Sequence, residues 1–333
     1  MISLLNRVTH AGMDAIMCAM MNRNQWRLRR QAVSRENLDA YLEQCEHENH
    51  STFYATPDEN SSLRTPEWRR DANLLSWNSP IQGPHEENNT ARALLFETTK
   101  PSGAPTLILL HALMSANDFG YRRIARRFNA RGWNVLFPHL PYHYSRRPKG
   151  YGNGELAITS DLIRNAETLR QAVIETRQLM GWARRGASRK IAILATSYGA
   201  WIASLCLSRE MTDFTILLQP VADVRHITFE SPASSMMSDL LFNNNVLPEL
   251  IDRHAHLSSP VRVKPLNSPD RITIIGGKYD LLSPSEKLKS LCSSWGGARY
   301  REVHQGHFGY SAMRCALEET EYYMTHSATE EHG

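Results

Sequence analysis

The chain has 333 residues, 41% hydrophobic and 22% charged, which suits one large α/β domain with appendages or two smaller domains and is enough to bury a sizeable core. Its 38 basic and 34 acidic residues leave a formal charge of +4, too near balance for nucleic acid to be the expected partner. The 5 cysteines form no CxxC pair, which argues against a disulfide framework and for a reducing, cytoplasmic compartment, and no apolar run reads as a secretion signal or a membrane span.

Residues 1 to about 75 differ from the rest, with Met and Arg enriched early and Asn, Glu and Ser later, and are expected to form a helical extension followed by a linker. Arg7, His10 and Asp14 interrupt its start. Met13, Ile16, Met17, Met20 and Met21 recur at three- and four-residue spacing, and Arg23, Arg27, Arg29 and Arg30 follow, the pattern of a basic amphipathic helix. Two placements are open for it: peripheral contact with an anionic membrane surface, or packing of the Met face onto the main domain, which is the plainer one.

From about residue 90, strand-like apolar runs alternate with amphipathic helical segments, the pattern of a mostly parallel sheet covered on both faces. The strands are expected at Ala93–Glu97, Thr106–Leu110, Trp133–Phe137, Lys190–Leu194, Phe214–Leu218, Arg271–Ile275 and Ala298–Val303. A long helix is expected over Asp161–Trp182, where Leu162, Ala166, Leu169, Val173 and Met180 share one stripe. Residues 222–268 break the alternation with Met236, Met237, Leu240, Leu241 and Phe242 between Pro-containing ends, which suggests a small helical lid over the sheet edge. The expected division is therefore an extension over 1–75 and a domain over 76–330 that carries the lid.

Within that domain, Lys190–Ala203 reads as strand, sharp turn and helix with Ser197 at the tip. Small neighbours, Ala195 and Gly199, let strand and helix pass closely while the turn projects the hydroxyl. A serine needs a base and an acid to orient that base. Asp280 follows the strand Arg271–Ile275 in Gly276-Gly-Lys-Tyr-Asp, and His307 follows the last strand in His304-Gln-Gly-His-Phe-Gly, both at strand ends where ligand sites of open α/β sheets form. Each has a rival. Ser197 can be a small turn residue, Asp280 a helix-start carboxylate near Ser283-Pro-Ser-Glu286, with Asp223 as the alternative acid, and His304 competes with His307.

The order Ser197, Asp280, His307 resembles that of α/β-hydrolases, and residues of about 90–325 look like that fold: a mostly parallel central sheet with helices on both faces and a small helical lid. Two positions differ from the usual pattern, Ala195 where the elbow commonly has Gly, and Ala112 where a His-Gly pair is common. The resemblance implies an oxyanion hole formed by the backbone N–H groups of Leu113 and Tyr198, and an acyl-enzyme on Ser197. It implies hydrolysis of an ester or related acyl bond of a small-molecule substrate, with no cofactor and no metal; His111, His139, His143 and His307 match no ligand spacing. Acyl transfer by the same residues and a non-catalytic binding role on the same scaffold are the alternatives.

The segment His139–Arg147 also follows a strand, so His111, His143, Arg146 and Arg147 are candidates for binding an anionic substrate headgroup; the plain alternative is an ion pair from Arg146 or Arg147 to an acid such as Asp118. The apolar lid points instead to a lipid-like or aryl substrate, and a phospholipid or acyl-thioester satisfies both hints.

Overall fold

The computed structural model describes residues 2–99 and 103–326, with side chains described from Thr9 onward. Met1, residues 100–102 and 327–330 and the side chain of Arg7, which the expected division includes, lie outside these.

Short runs of Leu, Ile, Val and Thr bounded by turns make the strands. In chain order these are β1 (Arg69–Asp71), β2 (Leu74–Asn78), β3 (Thr90–Phe96), β4 (Thr106–Leu110), β5 (Asn134–His139), β6 (Ile191–Thr196), β7 (Phe214–Leu218), β8 (Ile272–Gly277) and β9 (Arg299–Val303). Among the described residues they form one sheet in the order β1-β2-β3-β5-β4-β6-β7-β8-β9. β5 to β9 run parallel through β4, while β1, β2 and β3 are antiparallel. Every residue of β4 and β7 is buried, because helices cover both faces of the central strands, and their sequences therefore read as unbroken apolar runs.

The helices are α1 (Ile2–Arg27), α2 (Arg35–Cys45), α3 (His50–Phe53), α4 (Phe119–Asn129), α5 (Leu162–Arg185), α6 (Tyr198–Cys206), α7 (Ser235–Asn243), α8 (Pro248–Asp252), α9 (Ala255–Ser258), α10 (Ser285–Ser294) and α11 (Ser311–His326). One face of the sheet packs against α5, α6 and α10 through Leu169, Val173, Ile202 and Leu288. The other packs against α4 and α11 through Phe128, Ala316 and Tyr323. Between β7 and β8 the residues of the expected lid carry α7, α8 and α9.

Residues of the extension and linker expected over 1–75 pack into the same body as the sheet. The boundary falls inside β2, and Leu28, Phe53 and Tyr54 belong to the same core as Leu169 and Trp201. Tyr54 donates its hydroxyl to the carbonyl of Leu257 at 2.8 Å, and Arg177 of α5 clasps both Glu59 oxygens at 2.8 and 2.9 Å. β1 escaped notice because Arg69, Arg70 and Asp71 are all exposed and carry no apolar alternation.

Helix α1 packs Met17, Cys18 and Met21 inward and leaves Ile16 and Met20 exposed on its other side. No helix among the described residues is long and apolar enough to cross a membrane. All five cysteines are unpaired.

Candidate active site

β6 ends at Thr196 and α6 starts at Tyr198, so the whole change of direction falls on Ser197, whose φ of 50° and ψ of −112° are strained for a residue with a side chain. Two backbone bonds lock the turn. Ser197 N–H donates to Leu218 O at 2.7 Å, and Gly199 N–H donates to His111 O at 3.1 Å. A Cβ on Gly199 would sit 2.6 Å from that carbonyl oxygen, so only glycine lets α6 begin this close to β4. The methyl of Ala195 makes no such conflict; the residue is buried in β6 opposite Leu110 and Leu217.

Ser197 Oγ lies 2.9 Å from His307 Nε2, and His307 Nδ1 lies 2.8 and 3.0 Å from the two oxygens of Asp280. Asp280 also accepts the N–H groups of Leu282 and Ser283, each at 2.8 Å, and the side-chain amide of Gln219 at 2.6 Å. Since the carboxylate only accepts, the ring carries its proton on Nδ1 and offers the Nε2 lone pair to the serine hydroxyl. Burial pulls the His307 pKa down, but the charge and hydrogen bond of Asp280, with a further contribution from Asp14, outweigh it and hold the imidazole above its ordinary 6.5.

Asp14 was not anticipated. It is fully buried on α1, where it accepts the backbone N–H of His307 at 2.9 Å, Phe308 at 3.2 Å and Leu281 at 3.3 Å. Its sequence signal was slight: one acid among the Met and Ile residues of a helix. Gln219 was missed too. It follows β7 with φ of 48° and bridges Asp280 to the carbonyl of Gly306 at 2.9 Å.

Ser197 and His307 open onto a cavity of about 300 Å³. Met17 and Met21 of α1, Leu38 and Leu42 of α2, Trp201 of α6 and Met237, Leu250 and Ile251 of the lid line it; no Lys, Arg, Asp or Glu does among the described residues. Leu113 and Tyr198 line it beside Ser197. The N–H of Leu113 has no acceptor among the described residues, and Tyr198, first in α6, precedes the helix's internal bonding.

No family model and no curated protein matches this chain. Solved structures do. Acetyl xylan esterase 1 from Thermoanaerobacterium sp. JW/SL YS485 is 15% identical with a TM-score of 0.53, over 88% of this chain and 98% of that one. An acetyl xylan esterase from Paenibacillus sp. R4 is 12% identical with a TM-score of 0.56, over 86% of this chain and 96% of that one. The chain has the α/β-hydrolase fold. Within this hydrolase fold the elbow, the acid loop and the histidine loop stand at the ends of β6, β8 and β9. The rivals are elsewhere: Asp223 accepts from Arg225 N–H at 3.0 Å, and His304 is exposed beside Tyr279.

The anion-binding group expected from His111, His143, Arg146 and Arg147 is not assembled at the cavity of the hydrolase fold. Arg146 is 1% exposed and clasps Glu175 of α5 at 2.6 and 2.9 Å, with the carbonyls of His139 and Asn88 as further acceptors. Its partner is thus Glu175, and the expected Asp118 instead accepts from Arg122 at 2.6 Å. Arg147 is exposed and outside the cavity lining. His111 and His143 are fully buried, their rings 4.7 Å apart. Burial pushes the His143 pKa down to about 4 and, together with the neighbouring His143, takes that of His111 well below its ordinary value. Neutral, enclosed imidazoles bring no positive charge to the cavity. His111 Nε2 accepts Leu140 N–H at 3.1 Å, and His143 Nδ1 lies 2.8 Å from Pro141 O.

The buried pair has a stability consequence. Glu175→Gln leaves the Arg146 guanidinium enclosed without its counter-charge and is expected to destabilise the fold by about 3–5 kcal/mol, read by chemical denaturation. A loss under about 1 kcal/mol would contradict it.

Proposed function

We propose that the chain is a serine ester hydrolase acting on esters with a neutral, apolar acyl group. The observation that carries this is the continuous hydrogen-bond relay from Ser197 through His307 to Asp280, set in the wall of a cavity without charged residues. In this mechanism His307 Nε2 takes the Ser197 proton as Oγ attacks the ester carbonyl, and the imidazolium is stabilised by Asp280. The N–H groups of Leu113 and Tyr198 hold the oxyanion. His307 then protonates the leaving alcohol, and a water deprotonated by the same nitrogen attacks the acyl-enzyme to release the acid.

The lining favours the lipid-like over the anionic substrate. A carboxylate or phosphate held inside it would lose water and meet no cation, at a cost of several kcal/mol. Each added methylene that fits is worth about 0.8 kcal/mol, roughly fourfold in kcat/KM. A series of nitrophenyl esters from acetyl to dodecanoyl, with one ω-carboxylate analogue, tests both parts. The rate constant is expected to climb with chain length until the cavity is filled and to fall sharply for the charged analogue. No turnover of any ester would defeat the hydrolase reading, and a preference for the charged analogue would defeat the neutral acyl group.

A further inference from the structure

We propose that Asp14, delivered by the N-terminal helix, is a positioning residue of this site that holds the His307 loop by its backbone. The inference rests on His307 as the general base. Asp14 makes no contact with Ser197. Its hydrogen bonds among the described residues go to the two loops that carry the other members of the relay: His307 and Phe308 from one, Leu281 from the other. A single carboxylate therefore ties the base and the acid that orients it into one unit.

Asp14 is fully buried and has no Lys or Arg partner among the described residues, so three N–H dipoles carry the whole compensation for its charge. Such a group is costly to enclose and is poorly explained as packing. Room is made for it by Gly306, where a Cβ would come within 2.6 Å of Asp14 Oδ1. The helix is itself anchored beyond Asp14. Asn22 bonds Pro232 O at 2.8 Å and Met236 N–H at 2.9 Å in the lid segment, Gln25 bonds Ile158 O at 2.9 Å, and Arg27 pairs with Glu155. The carboxylate is thus set by α1 and not by the loop it grips.

The groups facing His307 are Ser197 from the elbow, Asp280 from the β8–α10 loop and Asp14 from α1, with the thiol of Cys18 one turn beyond. The charge of Asp14 favours the imidazolium that forms when Ser197 attacks. Asp14→Asn keeps the size and one acceptor oxygen but removes that charge, whereas Asp14→Ala also releases the N–H groups.

The experiment is an NMR titration of the His307 ring together with the pH profile of kcat, on wild type, Asp14→Asn and Asp14→Ala, with Tm recorded for each. In Asp14→Asn the ring is expected to titrate at lower pH, and kcat to fall about tenfold with KM little changed, a loss larger than any fall in Tm accounts for. Asp14→Ala is expected to lose more, with faster amide exchange over residues 305–309. An unmoved titration and an unmoved kcat in Asp14→Asn would overturn the proposal, as would a loss of activity that follows the fall in Tm with the titration unchanged. The titration needs no turnover. No ester turnover by the wild type, with the ring still titrating lower in Asp14→Asn, would remove the hydrolase reading and leave only the hold of Asp14 on the His307 loop.

Discussion

Replacing Ser197 by Ala is expected to lower ester turnover by at least about 10⁴-fold while leaving the fold intact. The hydroxyl has one side-chain partner, His307 Nε2 at 2.9 Å, and no packing function that a methyl group would not serve. The turn is held by backbone bonds from Ser197 and Gly199 that an alanine retains, at the same positive φ. Loss of one hydrogen bond is worth about 1 kcal/mol, so Tm should move by no more than a few degrees. Steady-state kinetics on the best ester of the chain-length series and a calorimetric scan check the two halves. Retained turnover would mean that another group is the nucleophile. A collapse in Tm would mean that Ser197 is chiefly structural.

Asp280→Asn is expected to cost about 10⁴-fold in kcat through the wrong tautomer of His307. The Asp280 oxygen that faces His307 Nδ1 at 2.8 Å also accepts the Gln219 amide at 2.6 Å, while the other oxygen accepts two backbone N–H groups. An asparagine that keeps its oxygen for those N–H groups must turn its amide toward His307 and Gln219. Nδ1 then has to accept, the ring proton moves to Nε2, and Nε2 can no longer receive the serine proton.

The pH dependence follows from the same pair. The base works when neutral, so the wild-type rate rises as pH passes the His307 pKa, which lies above 6.5. Asp280 is the chief reason that it is raised, so the variant should show its acid limb at lower pH and a far lower plateau. A kcat/KM profile over pH 5–9 measures both. A plateau within about tenfold of wild type, or a limb that stays in place, would contradict the account.

How much of this was legible depended on whether a residue's neighbours in space follow from its neighbours in sequence. The central sheet was legible because β4, β6 and β7 are buried on both faces and spell continuous apolar runs. Ser197, Asp280 and His307 were legible because each stands just beyond the end of a parallel strand, where the topology alone brings loops together. Asp14 and Gln219 were not. Their roles depend on which segment docks against which loop, and a single acid on a Met-rich helix reads only as a break in its apolar face. Arg146 misled for the same reason. An Arg pair after a strand looks like a surface anion site until Glu175 of α5, held by Gln171 one turn before it, is found turned inward to meet Arg146. β1 had nothing to show, since its three residues face solvent and only its pairing with β2 makes it a strand.

The central claim is that Ser197 is an activated nucleophile, and the most direct measurement is intact mass after exposure to a fluorophosphonate, on wild type and on Ser197→Ala. A single adduct on the wild type that is absent from the variant is the predicted result. No adduct on the folded wild type, or one that survives the substitution, would contradict it.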